Sequence, residues 1–291
     1  MFEGSIVAIV TPIKNGEVDY KAFEGLIDFQ LANNTSGIVV CGCTGEPATL
    51  TMEEHKELIK YTVDIVNKRC PVIAGTGSNN TREAIELTEE AEKAGADGAL
   101  IITPYYNKPM PAGLYQHYKK IAESVSIPII IYNVPSRTGI SILPETVAEL
   151  SQVKNIVGIK EASGSLDQVS KIISLCPDDF IVLSGDDSLT LPIMAVGGKG
   201  VISVAANIVP LQVSEMVTAS LKGDWAKAQK IHIELLPIFK VLFIETNPIP
   251  VKAALGLMGM ITPEWRLPLT PPSKESLEKI KNTLVKAKVL K

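Results

Sequence analysis

Short, β-branched apolar runs recur along the chain, each followed by a polar stretch long enough for a helix. They read GSIVAIVTP, GIVVCGCTG, CPVIAGTG, GALIITPYY, IPIIIYNVP, NIVGIKEASG, FIVLSGDD and GVISVAAN. Between them lie segments such as TMEEHKELIKYTVDIVNK and NTREAIELTEEAEKAGA, whose pattern predicts amphipathic helices. The second opens on Asn80 or Thr81 with Glu83 close behind, a helix N-cap signal. Strands that are apolar throughout and alternate with helices predict a parallel sheet covered by helices. Eight such units in about 220 residues have the size and count of a (β/α)8 TIM barrel. The rival is an open, doubly wound sheet, but the first βα turn has no G-x-G-x-x-G and the eighth unit would be surplus to six strands. Glycine motifs follow several runs (GTGSNN, SGDD), yet α/β loops are glycine-rich in general and these carry little information about phosphate. From Gly223 onward the strand pattern stops, and three helices are expected around DWAKAQKIHIELLPIFKVLF, PVKAALGLMGM and SKESLEKIKNTLVKAKVL. The expected organisation is an α/β barrel over residues 1–222 and a C-terminal helical domain over 223–291.

Composition narrows the partners. The 291 residues are 46% apolar, ample for the core of one large barrel. The formal net charge is −4, with acids and bases mixed along the chain, so neither nucleic acid nor an anionic membrane surface is expected as a partner. No apolar run approaches the roughly 20 residues of a membrane helix. The N-terminus, MFEGSIVAIVTP, has no basic n-region or small-residue cleavage site, so no secretory signal is expected. Four cysteines are too few for a disulfide scaffold and fit a reducing, cytoplasmic setting. Cys41 and Cys43 form a C-x-C in which both thiols would share one face of a strand. With no second Cys pair or His cluster nearby in sequence, they are expected as small buried strand residues, and no metal is expected.

The chemistry centres on Lys160, near the end of the sixth run. Catalytic residues of such barrels sit at the C-terminal ends of the strands. A lysine there either snorkels to the rim or is desolvated, which lowers its pKa and frees a neutral amine to form a Schiff base with a carbonyl. The fifth run places Tyr132 at the end of the adjacent strand, within reach as a proton carrier, and Arg137 in the loop beyond, suited to clamping a carboxylate in bidentate fashion. The bland alternatives are a strand tyrosine with a satisfied hydroxyl and a solvated loop charge. In GCTGEPATL the Thr44 hydroxyl and neighbouring amides offer a second anion site. An amine, a proton carrier and two anion sites at one barrel mouth suggest an aldolase acting on a 2-oxo acid.

The same segments, from GSIVAIVTP through GCTGEPATL, PVIAGTGSN, TPYYNKP, GLYQHY, YNVPSRTG, GIKEASG, LSGDD and GVISVAAN to ETNPIPVKAAL, resemble the dihydrodipicolinate synthase family. That family belongs to the Schiff-base aldolases, together with N-acetylneuraminate lyase and 2-keto-3-deoxygluconate aldolase. The resemblance spans essentially the whole chain. It implies that Lys160 forms the imine with pyruvate and that Tyr132 is the acid/base. Thr44 would hold the pyruvate carboxylate, with backbone groups near Ile202, and Arg137 would bind the carboxylate of L-aspartate 4-semialdehyde. Tyr106 would cross a dimer interface into the partner's site. The implied product is 4-hydroxy-tetrahydrodipicolinate, on the route to lysine and diaminopimelate. The implied fold is the barrel with a C-terminal helical domain, the assembly a homotetramer built as a dimer of dimers, and no metal or organic cofactor is needed.

Two departures stand out. The family usually reads G-T-T-G-E where this chain reads Gly42, Cys43, Thr44, Gly45, Glu46, so Cys43 takes the place of the hydroxyl that links the two tyrosines. A thiol is a weaker hydrogen-bonding group. In lysine-inhibited relatives the effector binds at the dimer interface through positions matching Pro47, Ala48, Met52, His55, Asn79, Glu83 and Tyr105. Pro47 and Met52 replace polar groups, so weak or absent inhibition is expected, and His55 and Glu83 would also be accounted for as solvated helix residues. Arg137 favours aspartate semialdehyde over the sugar aldehydes of related aldolases. A non-catalytic sensor of 2-oxo acids is the alternative of another class, with Cys43 in its favour.

Overall fold

The computed structural model of the protein describes residues 2–290. All eight apolar runs form strands, and these close into one parallel barrel. In chain order the strands are β1 (Gly4–Ala8), β2 (Ile13–Lys14), β3 (Glu17–Val18), β4 (Gly37–Val40), β5 (Val72–Gly75), β6 (Gly98–Ile102), β7 (Ile129–Asn133), β8 (Ile156–Glu161), β9 (Ile181–Ser184) and β10 (Gly200–Ser203). The barrel runs β4 to β10 in sequence order and closes through β1, which pairs with both β4 and β10. Because each barrel strand is buried on both faces, its apolar residues divide between two cores. Ile6, Val39, Ile73, Leu100, Ile130, Leu183 and Ile202 fill the lumen. Val7, Ile38, Ile101, Ile131 and Ile159 lie among the residues packed beneath the helices.

The remaining strands, β2 and β3, form an antiparallel hairpin that hydrophobic periodicity did not predict. Its two-residue turn is Asn15-Gly16, both with positive φ (55° and 84°), a tight turn that Asn-Gly favours. Both turn amides donate to the Glu264 carboxylate, at 2.9 and 2.6 Å.

The C-x-C segment departs from expectation. β4 stops at Val40 and Cys41 adopts φ +55°, so the two cysteines do not share a strand face. Cys41 is buried, which pushes its thiol pKa up, whereas Cys43 opens a single 3-10 turn at the barrel mouth. The kink brings the Cys41 carbonyl against β5, where a Cβ on Gly75 would fall 2.2 Å from that oxygen. No group of three or more His, Cys, Asp or Glu residues suited to a metal occurs among the described residues.

Beyond the barrel, helices span Trp225–Val241, Ile249–Leu257 and Lys274–Lys286. The first is capped by Asp224, which accepts from Lys227 N, and carries Pro237 in its interior. Leu235, Phe239, Val251, Leu255, Ile280 and Leu284 join the core beneath the barrel helices. Arg266 ties this region to the barrel mouth. It grips the Glu54 carboxylate with both terminal nitrogens, at 2.7 and 2.6 Å, and donates to the Thr49 and Gly16 carbonyls. Among the described residues no helix is long and apolar enough to cross a membrane.

Candidate active site

Tyr132 and Lys160 become neighbours through strand register. Ile129 on β7 pairs with Ile156 on β8, but a one-residue shift follows, so that Ile130 meets Gly158 and Tyr132 meets Lys160. Partners in register share a face, and one slip moves a residue to the other. Both side chains enter the lumen, and the Lys160 ammonium nitrogen lies 4.2 Å from the centre of the Tyr132 ring. The next pair, Asn133 and Glu161, turns outward. Buried Glu161 accepts there from Asn133 Nδ2, Ser163 N and Gln168 Nε2, at 2.9, 2.6 and 3.2 Å.

Lys160 is only 5% exposed. Desolvation dominates its titration and brings the amine down to about 8, with Cys43 and Asp187 opposing the shift and Arg137 reinforcing it. Space for the side chain comes from Gly185, where a Cβ would stand 3.1 Å from Lys160 Cε and 2.7 Å from Ala162 Cβ. Burial raises the Tyr132 phenol well above its ordinary value. Cys43 adds to the rise and Arg137 opposes it. A phenol so raised keeps its proton at neutral pH, so it is the neutral hydroxyl that stands beside the amine.

Asp187, passed over in the sequence, is the carboxylate of this neighbourhood. It is 2% exposed and accepts from Ser203 Oγ at 2.5 Å, Val204 N at 3.1 Å and Ala205 N at 3.0 Å. These bonds fix the backbone just after Ile202. Burial outweighs them and raises the carboxyl to about 6. Its only sequence signal was the acidic pair in SGDD.

Thr44 is buried, and its hydroxyl accepts from Asn247 Nδ2 at 3.0 Å. A hydroxyl accepting this way still has its own proton to donate to an anion. Arg137 is exposed on the rim and spends Nη2 on the Asn247 carbonyl at 2.8 Å. Asn247, another residue passed over, thus touches both expected carboxylate binders. Tyr132, Cys43, Arg137 and Asn247 line a cleft of about 410 Å³.

His55, Glu83, Tyr105, Pro47 and Met52 lie along the same cleft. Solvation does not account for His55, which is 6% exposed and holds the Gly75 carbonyl through Nε2 at 2.8 Å. Glu83 is exposed and accepts from Ser78 Oγ and Asn80 Nδ2. Asn79 donates to the Tyr105 carbonyl and accepts from Asn107 Nδ2. Between those anchors Tyr106 sits at φ +72°, with Asn107 N donating to Tyr105 O, a strained γ-turn. It throws the phenol outward, 89% exposed, away from this chain's own cleft.

A lysine buried at the mouth of a parallel barrel, with a phenol against it, has the surroundings that covalent chemistry on carbonyl carbons needs. The fold and the site together place the chain among the class I, Schiff-base aldolase-type lyases. Comparison with known proteins carries this further. The dihydrodipicolinate synthetase family matches residues 1–287, and the chain belongs to that family. It is 59% identical over 284 residues to a 4-hydroxy-tetrahydrodipicolinate synthase of Syntrophus aciditrophicus, covering 98% of each chain. The structure of dihydrodipicolinate synthase from Aquifex aeolicus superposes with a TM-score of 0.98 at 53% identity, over 99% of each chain. That of the chloride-inhibited Acinetobacter baumannii enzyme, complexed with pyruvate, gives 0.98 at 47% identity over the full length of both.

Proposed function

We propose that the chain catalyses the 4-hydroxy-tetrahydrodipicolinate synthase reaction, condensing pyruvate with L-aspartate 4-semialdehyde for lysine and diaminopimelate synthesis. The observation that carries the reading is the desolvated Lys160 amine under Tyr132, with Thr44 and Arg137 each tied to Asn247. The neutral amine adds to C2 of pyruvate and water leaves, giving the imine. Loss of a C3 proton gives the enamine, whose C3 attacks the aldehyde carbon. Tyr132 carries protons in both steps. The amino group of the semialdehyde then closes onto C2 and releases Lys160. Thr44, with backbone near Ile202, holds the pyruvate carboxylate, and Arg137 holds that of the semialdehyde.

Catalysis belongs to the barrel over residues 1–222, with the helical domain over 223–291 contributing Asn247 to the site. Tyr106 crosses to a partner subunit within a homotetramer, and its outward γ-turn supports that reading. Cys43 takes part in the relay between the tyrosines. His55, Asn79, Glu83 and Tyr105 form an effector pocket in which Pro47 and Met52 weaken the response to lysine. The reaction runs in the cytoplasm without a metal or organic cofactor. The test is pyruvate turnover with L-aspartate 4-semialdehyde, N-acetylmannosamine and glyceraldehyde in parallel. Turnover with the semialdehyde alone is expected. Turnover with a sugar aldehyde instead makes the chain a sugar-acid aldolase, and none with any aldehyde makes it a 2-oxo acid sensor.

A further inference from the structure

The loop that presents Cys43 and Thr44 ends on a buried charge. Glu46 follows Gly45 at φ +57°, a left-handed conformation that a non-glycine residue holds only where its surroundings impose it. Its side chain is 3% exposed and meets Lys252 Nζ at 2.5 Å. Lys252 lies on the helix Ile249–Leu257, and its side chain is fully shielded from solvent. Partners 206 positions apart thus join the barrel mouth to the C-terminal helical region. Close by in sequence, Asn247 Nδ2 donates to Thr44 Oγ1. Thr11 Oγ1 steadies the loop from the other side through the Gly45 carbonyl, at 2.7 Å. Among the described residues the second Glu46 oxygen, Oε2, is buried with no hydrogen-bond partner, and Lys252 is the one cation within hydrogen-bonding distance of this carboxylate.

A buried ion pair is a weak device for stability, because desolvation consumes most of its Coulomb gain. It becomes informative when its position is considered. The carboxylate lies two residues from Thr44, where an anion is to bind. An uncompensated negative charge there would repel that anion through a low-dielectric interior.

We propose that Glu46 and Lys252 are positioning residues for the first substrate: their pair fixes the Thr44 loop and keeps the floor of the carboxylate site electrically neutral. The inference rests on the pyruvate reading above. It also makes the two partners unequal. Removing Glu46 leaves a buried lysine, which sheds its proton and becomes neutral. Burial already lowers the Lys252 pKa, while Glu46 raises it. Removing Lys252 leaves a carboxylate that repels the substrate whenever it is ionised. Glu264 and Arg266 are the other charges that face this lysine, and all the variants below keep them.

The experiment compares Glu46→Gln, Lys252→Met and the double variant with wild type, recording thermal midpoint, KM for pyruvate and kcat across pH. Glu46→Asp joins them as a milder variant that keeps the charge but draws it back from Lys252. For Lys252→Met the pyruvate KM should rise about tenfold and climb with pH, with a smaller change in kcat. Glu46→Asp should show the same trend more weakly. Glu46→Gln and the double variant loosen the Thr44 loop without leaving a charge beneath it, so their pyruvate KM should rise less than that of Lys252→Met and by a factor that does not change with pH. If the single variants lose thermal midpoint alike while the pyruvate KM stays flat with pH, the pair is structural only and the proposal falls. If Lys252→Met does not fold, a flat KM profile for Glu46→Asp overturns it equally. Borohydride trapping of wild type with pyruvate, located at Lys160 by peptide mass, is the control: its failure would refute the imine reading itself.

Discussion

Lowering the pH on the wild-type protein tests the chemistry at its source. The buried Lys160 amine titrates at about 8 rather than 10.5, and desolvation is the largest cause. At neutral pH about one amine in ten is then unprotonated, against roughly one in three thousand for an ordinary lysine, a gain of about 300-fold in nucleophile. For this group the charged form is favoured as pH falls, so imine formation should drop about tenfold per pH unit well below 8 and level off above it. The assay incubates protein with pyruvate at fixed concentration, quenches with borohydride at short times, and reads the reduced adduct by intact mass. A rate that keeps climbing tenfold per unit through pH 9 and beyond would show a solvated lysine. Neither burial nor the Tyr132 ring would then be shielding the amine from water.

Three further outcomes follow from the same geometry. Arg137→Ala removes the guanidinium from the rim and should cost roughly 2 kcal/mol, or about thirtyfold in kcat/KM for the semialdehyde, while the pyruvate KM holds; equal losses for both substrates would contradict the assignment. Asp187→Asn deletes a negative charge that holds the Lys160 pKa up, so the acid limb of the pH–rate profile should move to lower pH, and an upward shift would reverse the assigned sign. Tyr106→Ala should remove most turnover, because the side chain, 89% exposed on its own subunit, would be missing from the partner's site. Mixing it with Lys160→Ala subunits should restore part of the activity if the tyrosine serves a partner's site.

Legibility followed burial. The eight barrel strands could be read because each is apolar on both faces and bounded by turn residues. The β2–β3 hairpin escaped because two-residue strands carry no period, although Asn15-Gly16 was a usable turn signal. The cysteines were misplaced because Cys41 takes a left-handed conformation without being glycine. Lys160, Tyr132, Thr44 and Arg137 were visible because each ends or follows a barrel strand. Asn247 and the Glu46–Lys252 pair were not visible from local pattern, because each links the barrel mouth to the C-terminal region.

Alone, then, the sequence determined the barrel and the helices that follow it, since alternation of apolar strands with amphipathic helices is a local property, and it put reactive side chains at the strand ends. Tertiary structure decided how those residues meet. A one-residue shift between β7 and β8 sets Tyr132 beside Lys160 rather than Ile159. Desolvation of the amine exists only once the lumen is packed around it. Asn247 and Lys252 are brought to Thr44 and Glu46 across some two hundred positions, because a long-range contact depends on the folded path and not on spacing along the chain.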